Sequence, residues 1–150
     1  MLNAKNIMTI DLITVLPDEY ITKAAKLLVT NRVNGLPVVN REDQLVGIIC
    51  QSDMIAQQKK LPIPSFFTIL DGLIPITSMK QIEKEAGKIA ATQVHQAMTK
   101  NPITVNPDTD IETIASLMVD NNFHTIPVVE KGKLVGIIGK EDILKTLIAG

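Results

Sequence analysis

Apolar positions along the chain change period in a fixed order. Ile21, Ala24, Ala25 and Leu28 fall at i, i+3, i+4 and i+7, the stripe of an amphipathic helix. Pro17-Asp18 just ahead of them is a helix-start signal. Leu36 to Val39 and Leu45 to Ile49 are unbroken runs of β-forming residues around the polar stretch Asn40 to Gln44, the pattern of a hairpin buried on both faces. Ile13-Thr14-Val15 reads as a brief strand before the helix, and Asp53 stands where the second hairpin strand gives way to a final helix. The unit therefore reads β-α-β-β-α.

The same order then returns. Met8-Thr9, Ile13-Thr14-Val15 and Pro17-Asp18 reappear 90 positions later as Met98-Thr99, Ile103-Thr104-Val105 and Pro107-Asp108. The helix stripe returns as Ile111, Ile114, Ala115 and Met118, with Thr109 and Glu112 spaced for a capping box. Leu45 to Ile49 returns letter for letter as Leu134 to Ile138, and Asp53 as Asp142, at a shift of 89 because the second turn is one residue shorter. Internal duplication of this kind organises the chain into one unit over residues 1–56 and another over 94–150. Residues 57–93 lie outside the repeat. Pro62, Pro64 and Pro75 make their first part irregular, and Ser78 and Gln81 can cap a helix running to about Thr92 with Ile82, Ala86 and Ile89 on its apolar face. "SFFTILDGLI" within that segment either covers exposed core or serves as a lid or partner surface.

Composition narrows the function. A chain of 150 residues with 45% hydrophobic residues has material for a shared core, and with 3% aromatics that core is aliphatic. A formal net charge of −1 gives no electrostatic reason for DNA, RNA or an anionic membrane as partner. The single Cys50 excludes an internal disulfide and a cysteine-based zinc site. No basic region followed by an apolar one opens the chain, and the most apolar stretch, residues 61–76, is short and broken by prolines, so the expected location is cytoplasmic. No Ser/His/Asp order, phosphate-cradling Gly-rich loop, HExxH helix or paired metal-ligand spacing is present, so the reading is not an enzyme, with no metal and no required cofactor. Cys50 at the end of an apolar strand reads as a buried small residue rather than a reactive thiol.

The two aspartates carry the candidate chemistry. A ribose needs an acceptor for its 2′ and 3′ hydroxyls, and one carboxylate serves both. Asp53 and Asp142 stand at the ends of buried strands, where α/β structures place ligand-binding groups. Each also opens a helix, where backbone N–H groups and the positive helix end suit phosphate. The other reading of both residues is as helix caps.

The ordered double set of Met-Thr, Ile-Thr-Val, Pro-Asp, Pro-Val-Val, Leu-Val-Gly-Ile-Ile and Asp resembles a pair of CBS domains, named after cystathionine β-synthase and together called a Bateman module. The resemblance implies an α/β (α+β) fold with two β-α-β-β-α units about a pseudo-twofold axis and two clefts between them. It further implies regulatory binding of an adenosine-type ligand (AMP, ADP, ATP or S-adenosylmethionine), a homodimer and a regulated partner protein. Carried over by position, the adenine slot falls on Thr14, Val33 and Asn34 in one unit and on Thr104, Phe123 and His124 in the other, His124 at a position that reaches phosphate. Where the family pattern places a Thr or Ser three residues before the aspartate, this chain has Cys50 and Gly139. Ser52 supplies a hydroxyl beside Asp53, whereas Glu141 beside Asp142 repels phosphate and Lys140 offsets part of that, so the cleft with Asp53, Ser52 and His124 is favoured. The missing hydroxyls also open the alternatives of a non-phosphorylated adenosyl ligand, or of a dimerisation module that has lost ligand binding. Leu27, Val29, Leu117 and Val119 lie beyond the core stripes of their helices and are the expected dimer surface.

Overall fold

The computed structural model describes residues 2–58, 83–84, 87–88 and 90–149 of the chain. Helix α1 (Ala4–Ile7) precedes α2 (Ile21–Asn31), the hairpin β1 (Gly35–Val39) and β2 (Leu45–Cys50), and α3 (Gln51–Gln58). The second half repeats this as α4 (Val94–Ala97), the short β3 (Thr99–Lys100), α5 (Ile111–Asn121), β4 (Thr125–Glu130), β5 (Lys133–Gly139) and α6 (Lys140–Ala149). Residues 83, 84, 87, 88 and 90 are helical, where the sequence predicts a helix. The expected cap at Ser78 and Gln81, the face of Ile82, Ala86 and Ile89, and the "SFFTILDGLI" segment lie outside the described residues.

The mixed α/β class and the repeated unit are as the periodicity dictates, with local differences at the helix starts and the first strands. Of Ile13-Thr14-Val15 only Val15 pairs, in a parallel bridge to Val38, and Val105 does the same with Val128. The capping box expected from Thr109 and Glu112 does not form. Helix α5 begins later, with the Asp110 carboxylate accepting the Thr113 N–H at 2.7 Å, while the Thr109 hydroxyl accepts the Asn106 N–H at 3.1 Å. Arg32 and Asn122 end α2 and α5 in the left-handed conformation. Each hairpin carries a bulge between Val38 and Val39 or Val128 and Val129, opposite the Leu-Val-Gly of its partner strand. The second turn needs fewer residues because Lys131 and Gly132 both take positive φ and close the hairpin directly.

The halves are interlocked through their opening segments. Helix α1 comes first in the chain yet packs in the second core: Ala4 is fully buried with Val105, Ile114, Ile126, Val128 and Ile138, and Ile7 and Met8 pack against them. Conversely Val94 of α4 is buried in the first core with Leu28, Leu36, Val38 and Ile49. Backbone bonds fix the exchange: Ala4 N–H donates to Thr109 at 2.8 Å, and Val94 N–H to Glu19 at 2.8 Å. Beyond the helices, β3 pairs with β2, and Thr9 exchanges two hydrogen bonds with Ile137 of β5. The first sheet thus gains a third strand from the other half, and the second an isolated antiparallel bridge at Thr9.

Gly47 and Gly136 in the two Leu-Val-Gly-Ile-Ile runs make this crossing possible. A Cβ on Gly47 would lie 2.5 Å from Met98 Sδ and 2.9 Å from the Thr99 carbonyl; one on Gly136 would collide with the Met8 side chain, including Cγ at 2.8 Å. The repeated Met-Thr and the repeated glycine are therefore two sides of one contact. Leu27 and Leu117, expected on the dimer surface, instead pack partly buried against the two cores, whereas Val29 and Val119 stand 77% and 79% exposed.

Gly47→Ala should destabilise the fold by about 1–3 kcal/mol, the usual cost of overpacking, although Ala in a strand is otherwise preferred to Gly. Gly136→Ala should cost less, because its obstacle is the flexible Met8 side chain rather than backbone. Urea midpoints of the two variants against wild type check both the sign and the order.

Candidate functional site

Two clefts open between the halves, each assembled from both. In one, of about 290 Å³, Thr9, Asp11 and Ile13 follow α1, Arg32, Val33 and Asn34 run from the end of α2 into β1, and Gly139, Glu141, Asp142 and Lys145 come from the β5–α6 junction. In the other, of about 330 Å³, the same positions of the repeat recur as Thr99, Asn101 and Ile103, then Asn122, Phe123 and His124, then Cys50, Ser52 and Asp53. The clefts meet where β1 and β4 begin, since a Cβ on Gly35 would lie 3.4 Å from Thr125 Oγ1 and Thr125 lines both.

The fold brings most of the sequence-derived residues into these two groups. Cys50, Ser52, Asp53, Phe123 and His124 line the Asp53 cleft; Val33, Asn34 and Asp142 line the Asp142 cleft. Thr14 and Thr104 line neither, and the preceding Ile13 and Ile103 face the space instead. Lys140 is also outside the lining, whereas Lys145, one turn along α6 from Asp142, is within it. Arg32, Asp11 and Lys145 escaped the motif reading because they sit outside the repeated phrases. The shift of 90 that pairs Arg32 with Asn122 and Asp11 with Asn101 was the signal that could have found two of them.

Each aspartate is held by its own helix start. Asp53, third residue of α3, accepts the Cys50 N–H through Oδ2 at 2.7 Å, and Asp142, third residue of α6, accepts the Gly139 N–H through Oδ2 at 2.8 Å. This is the backbone half of a capping box. The cap leaves Oδ1 of each carboxylate without a hydrogen-bond partner among the described residues. The next amides are also used: Gln51 N–H donates to the Asn34 carbonyl at 3.2 Å and Lys140 N–H to the His124 carbonyl at 3.0 Å.

Burial raises the Asp53 carboxyl above its ordinary range, opposed by the Cys50 N–H. Burial, and then the Asp53 charge, push the Cys50 thiol up to about 11. A raised thiol has less of the thiolate that reacts; the residue expected to be buried is half-buried and lines the cleft. His95 lies away from both clefts, its Nε2 2.7 Å from Gln93 Oε1. Among the described residues no group of three or more His, Cys, Asp or Glu could hold a metal ion, and no helix is long and apolar enough to cross a membrane.

Comparison with known proteins places this geometry. The family model of the CBS domain matches residues 4–60 and again 92–149. An uncharacterized protein of Methanocaldococcus jannaschii is 32% identical over 91% of this chain and 86% of its own length. Other relatives are longer: the chain spans 60% of the chloroplastic CBS domain-containing protein CBSX1 of Arabidopsis thaliana, at 29% identity over 92% of this chain. It spans 24% of a homoserine O-acetyltransferase of Methanococcus vannielii, at 33% identity over 95% of this chain. Among solved structures, CBSX2 in complex with AMP superposes with a TM-score of 0.75 at 26% identity, covering 99% of this chain and 98% of that one. The CBS domain pair of protein MJ0100, in complex with 5′-methylthioadenosine and S-adenosyl-L-methionine, gives 0.71 at 26% identity over 99% and 98%. The chain belongs to the CBS-domain family and carries two CBS domains in tandem.

Proposed function

We propose that the protein is a regulatory module that binds an adenosine-type ligand in the clefts between its CBS domains and performs no chemistry itself. The observation that carries this is the construction of each cleft: an aspartate with one free carboxylate oxygen comes from one half, and a left-handed turn leading into an apolar strand comes from the other. Oδ1 of Asp53 or Asp142 accepts the ribose hydroxyls. The base lies against Ile13 and Val33 in one cleft and against Ile103 and Phe123 in the other. A ligand that touches both halves favours the relative packing in which the cleft is closed, and a partner protein reads that population shift. The adenosine-type ligands bound by CBSX2 and by the MJ0100 pair support the ligand class.

Binding at these sites requires the carboxylates. Asp53→Asn and Asp142→Asn should each weaken adenosine binding in their own cleft by about 1–3 kcal/mol, the loss of a charge-assisted hydrogen bond. Calorimetric titration reads this directly, and unchanged affinity in both variants would leave the aspartates as helix caps alone.

A second reading, dimerisation through the helices, is favoured by Val29 at 77% and Val119 at 79% exposure on symmetry-related positions of α2 and α5. Light scattering should then give twice the 16.4 kDa chain mass. The double variant Val29→Asp with Val119→Asp should return the single-chain value.

A further inference from the structure

Met8 and Met98 occupy the two crossings in the same way. Each ends a short opening helix, with Met8 N–H donating to the Ala4 carbonyl at 2.8 Å and Met98 N–H to that of Val94 at 2.9 Å. The residue after each is pinned to the opposite half: Thr9 exchanges two hydrogen bonds with Ile137, and Thr99 pairs with Ile48. Between those anchors the thioether takes the space of the side chain that the facing glycine lacks. Met98 Sδ lies 2.5 Å from where a Cβ on Gly47 would be, and Met8 Sδ stands likewise over Gly136. Both side chains pack against an aliphatic core, Met98 against the first and Met8 against the second, yet both are only half-buried. Among the described residues the other methionines stand elsewhere, Met118 inside the second core and Met54 on α3.

We propose that Met8 and Met98 form a paired oxidation site, at which hydrogen peroxide turns each thioether into a sulfoxide and loosens the lock between the halves. The sulfur attacks one peroxide oxygen and the O–O bond breaks. Sulfur gives up two electrons and keeps that oxygen, while the other oxygen leaves as water with both protons. The product is a polar, chiral group in place of a flexible apolar one, and methionine sulfoxide reductases reverse the change. Two costs arise at this place. The sulfur already lies against the backbone of the facing strand, so an added oxygen has to displace packed atoms. An oxygen turned instead toward the aliphatic core is desolvated without a donor. Swinging the side chain out would move residues that backbone hydrogen bonds hold on either side of it. Thr9, Asp11 and Ile13 follow Met8 into one cleft, and Thr99, Asn101 and Ile103 follow Met98 into the other, so one oxidant acts on both clefts at once. The site rests on the crossings and requires no ligand, so it stands apart from the adenosine reading.

The whole chain and its Met8→Leu/Met98→Leu double variant are treated with graded hydrogen peroxide, quenched and then reduced with dithiothreitol. Leu keeps the apolar volume without the sulfur. Both proteins retain Cys50, Met54 and Met118, so oxidation at those residues lowers both alike. Peptide mass spectrometry reads the oxygen gained at each methionine, and circular dichroism reads the melting midpoint. Met8 and Met98 should gain oxygen before Met118, and the wild-type midpoint should fall with them by at least about 4 °C. The double variant should shift by less than about 1 °C over the same doses. Full oxidation of Met8 and Met98 with an unchanged midpoint would overturn the proposal, as would an equal fall in the double variant. So would Met8 and Met98 that stay thioethers at doses that oxidise Met118. Treating the oxidised wild type with methionine sulfoxide reductases asks the same question without any substitution. Loss of the added oxygen from Met8 and Met98 should restore the midpoint, and a midpoint that stays low would overturn the proposal.

Discussion

Gly47 and Gly136 each leave room for the backbone and methionine of the opposite half, and the rest of the molecule depends on that crossing. A side chain at Gly47 would press on the Thr99 backbone and one at Gly136 on the Met8 side chain, so either would strain the contact by which the other half meets the strand. Because the exchange is reciprocal, neither core is complete within its own stretch of sequence. Val94 closes the first core from the far side of residues 57–93, and Ala4 closes the second from the start of the chain. Two small aliphatic cores exchange their opening segments, so each buries surface that a single unit of this length would leave exposed.

The same crossing places the clefts. Met8-Thr9 lies on β5, so Asp11 and Ile13 emerge beside the start of α6. Met98-Thr99 runs along β2, so Asn101 and Ile103 emerge beside α3. A ligand in either cleft therefore touches segments whose positions depend on how the halves are locked together. That gives a physical route from occupancy to packing, since binding that prefers one arrangement shifts the population toward it.

The duplication also shows how one scaffold diversifies. The aliphatic positions of the repeat, such as Leu36, Val38 and Ile49 with Ile126, Val128 and Ile138, are held in place by burial on every side. The cleft-lining positions Arg32 and Asn122, or Glu141 and Ser52, face space, and the packing that constrains the core does not constrain them. Asp53 and Asp142 belong to both groups, for each ties down its helix start with one oxygen and presents the other. That arrangement accommodates the cap reading and the proposed ligand reading alike, so the residues alone do not choose between them.

The hydrophobic period alone determined the repeated β-α-β-β-α order, the buried hairpins and the placement of the aspartates at strand ends, because burial on one or two faces imposes its period on the chain directly. The resemblance to a CBS pair, and not the period, put Asp53 and Ser52 in one expected site with His124, and with Phe123 by position, and the structure lines one cleft with all four although they come from different halves. What the chain could not show locally were contacts made across about 90 positions: that the opening helices exchange cores, that Gly47 and Gly136 are spaces for Met98 and Met8, and that Leu27 and Leu117 are drawn inward while Val29 and Val119 are left outside. Arg32 and Lys145 belong to the same class. Each is an ordinary helix-end or helix-surface residue in its own neighbourhood, and only the packing of one half against the other puts both into the cleft of Asp142. Local periodicity reports which face of an element is buried; which distant residues share a cavity is decided by the docking of those faces.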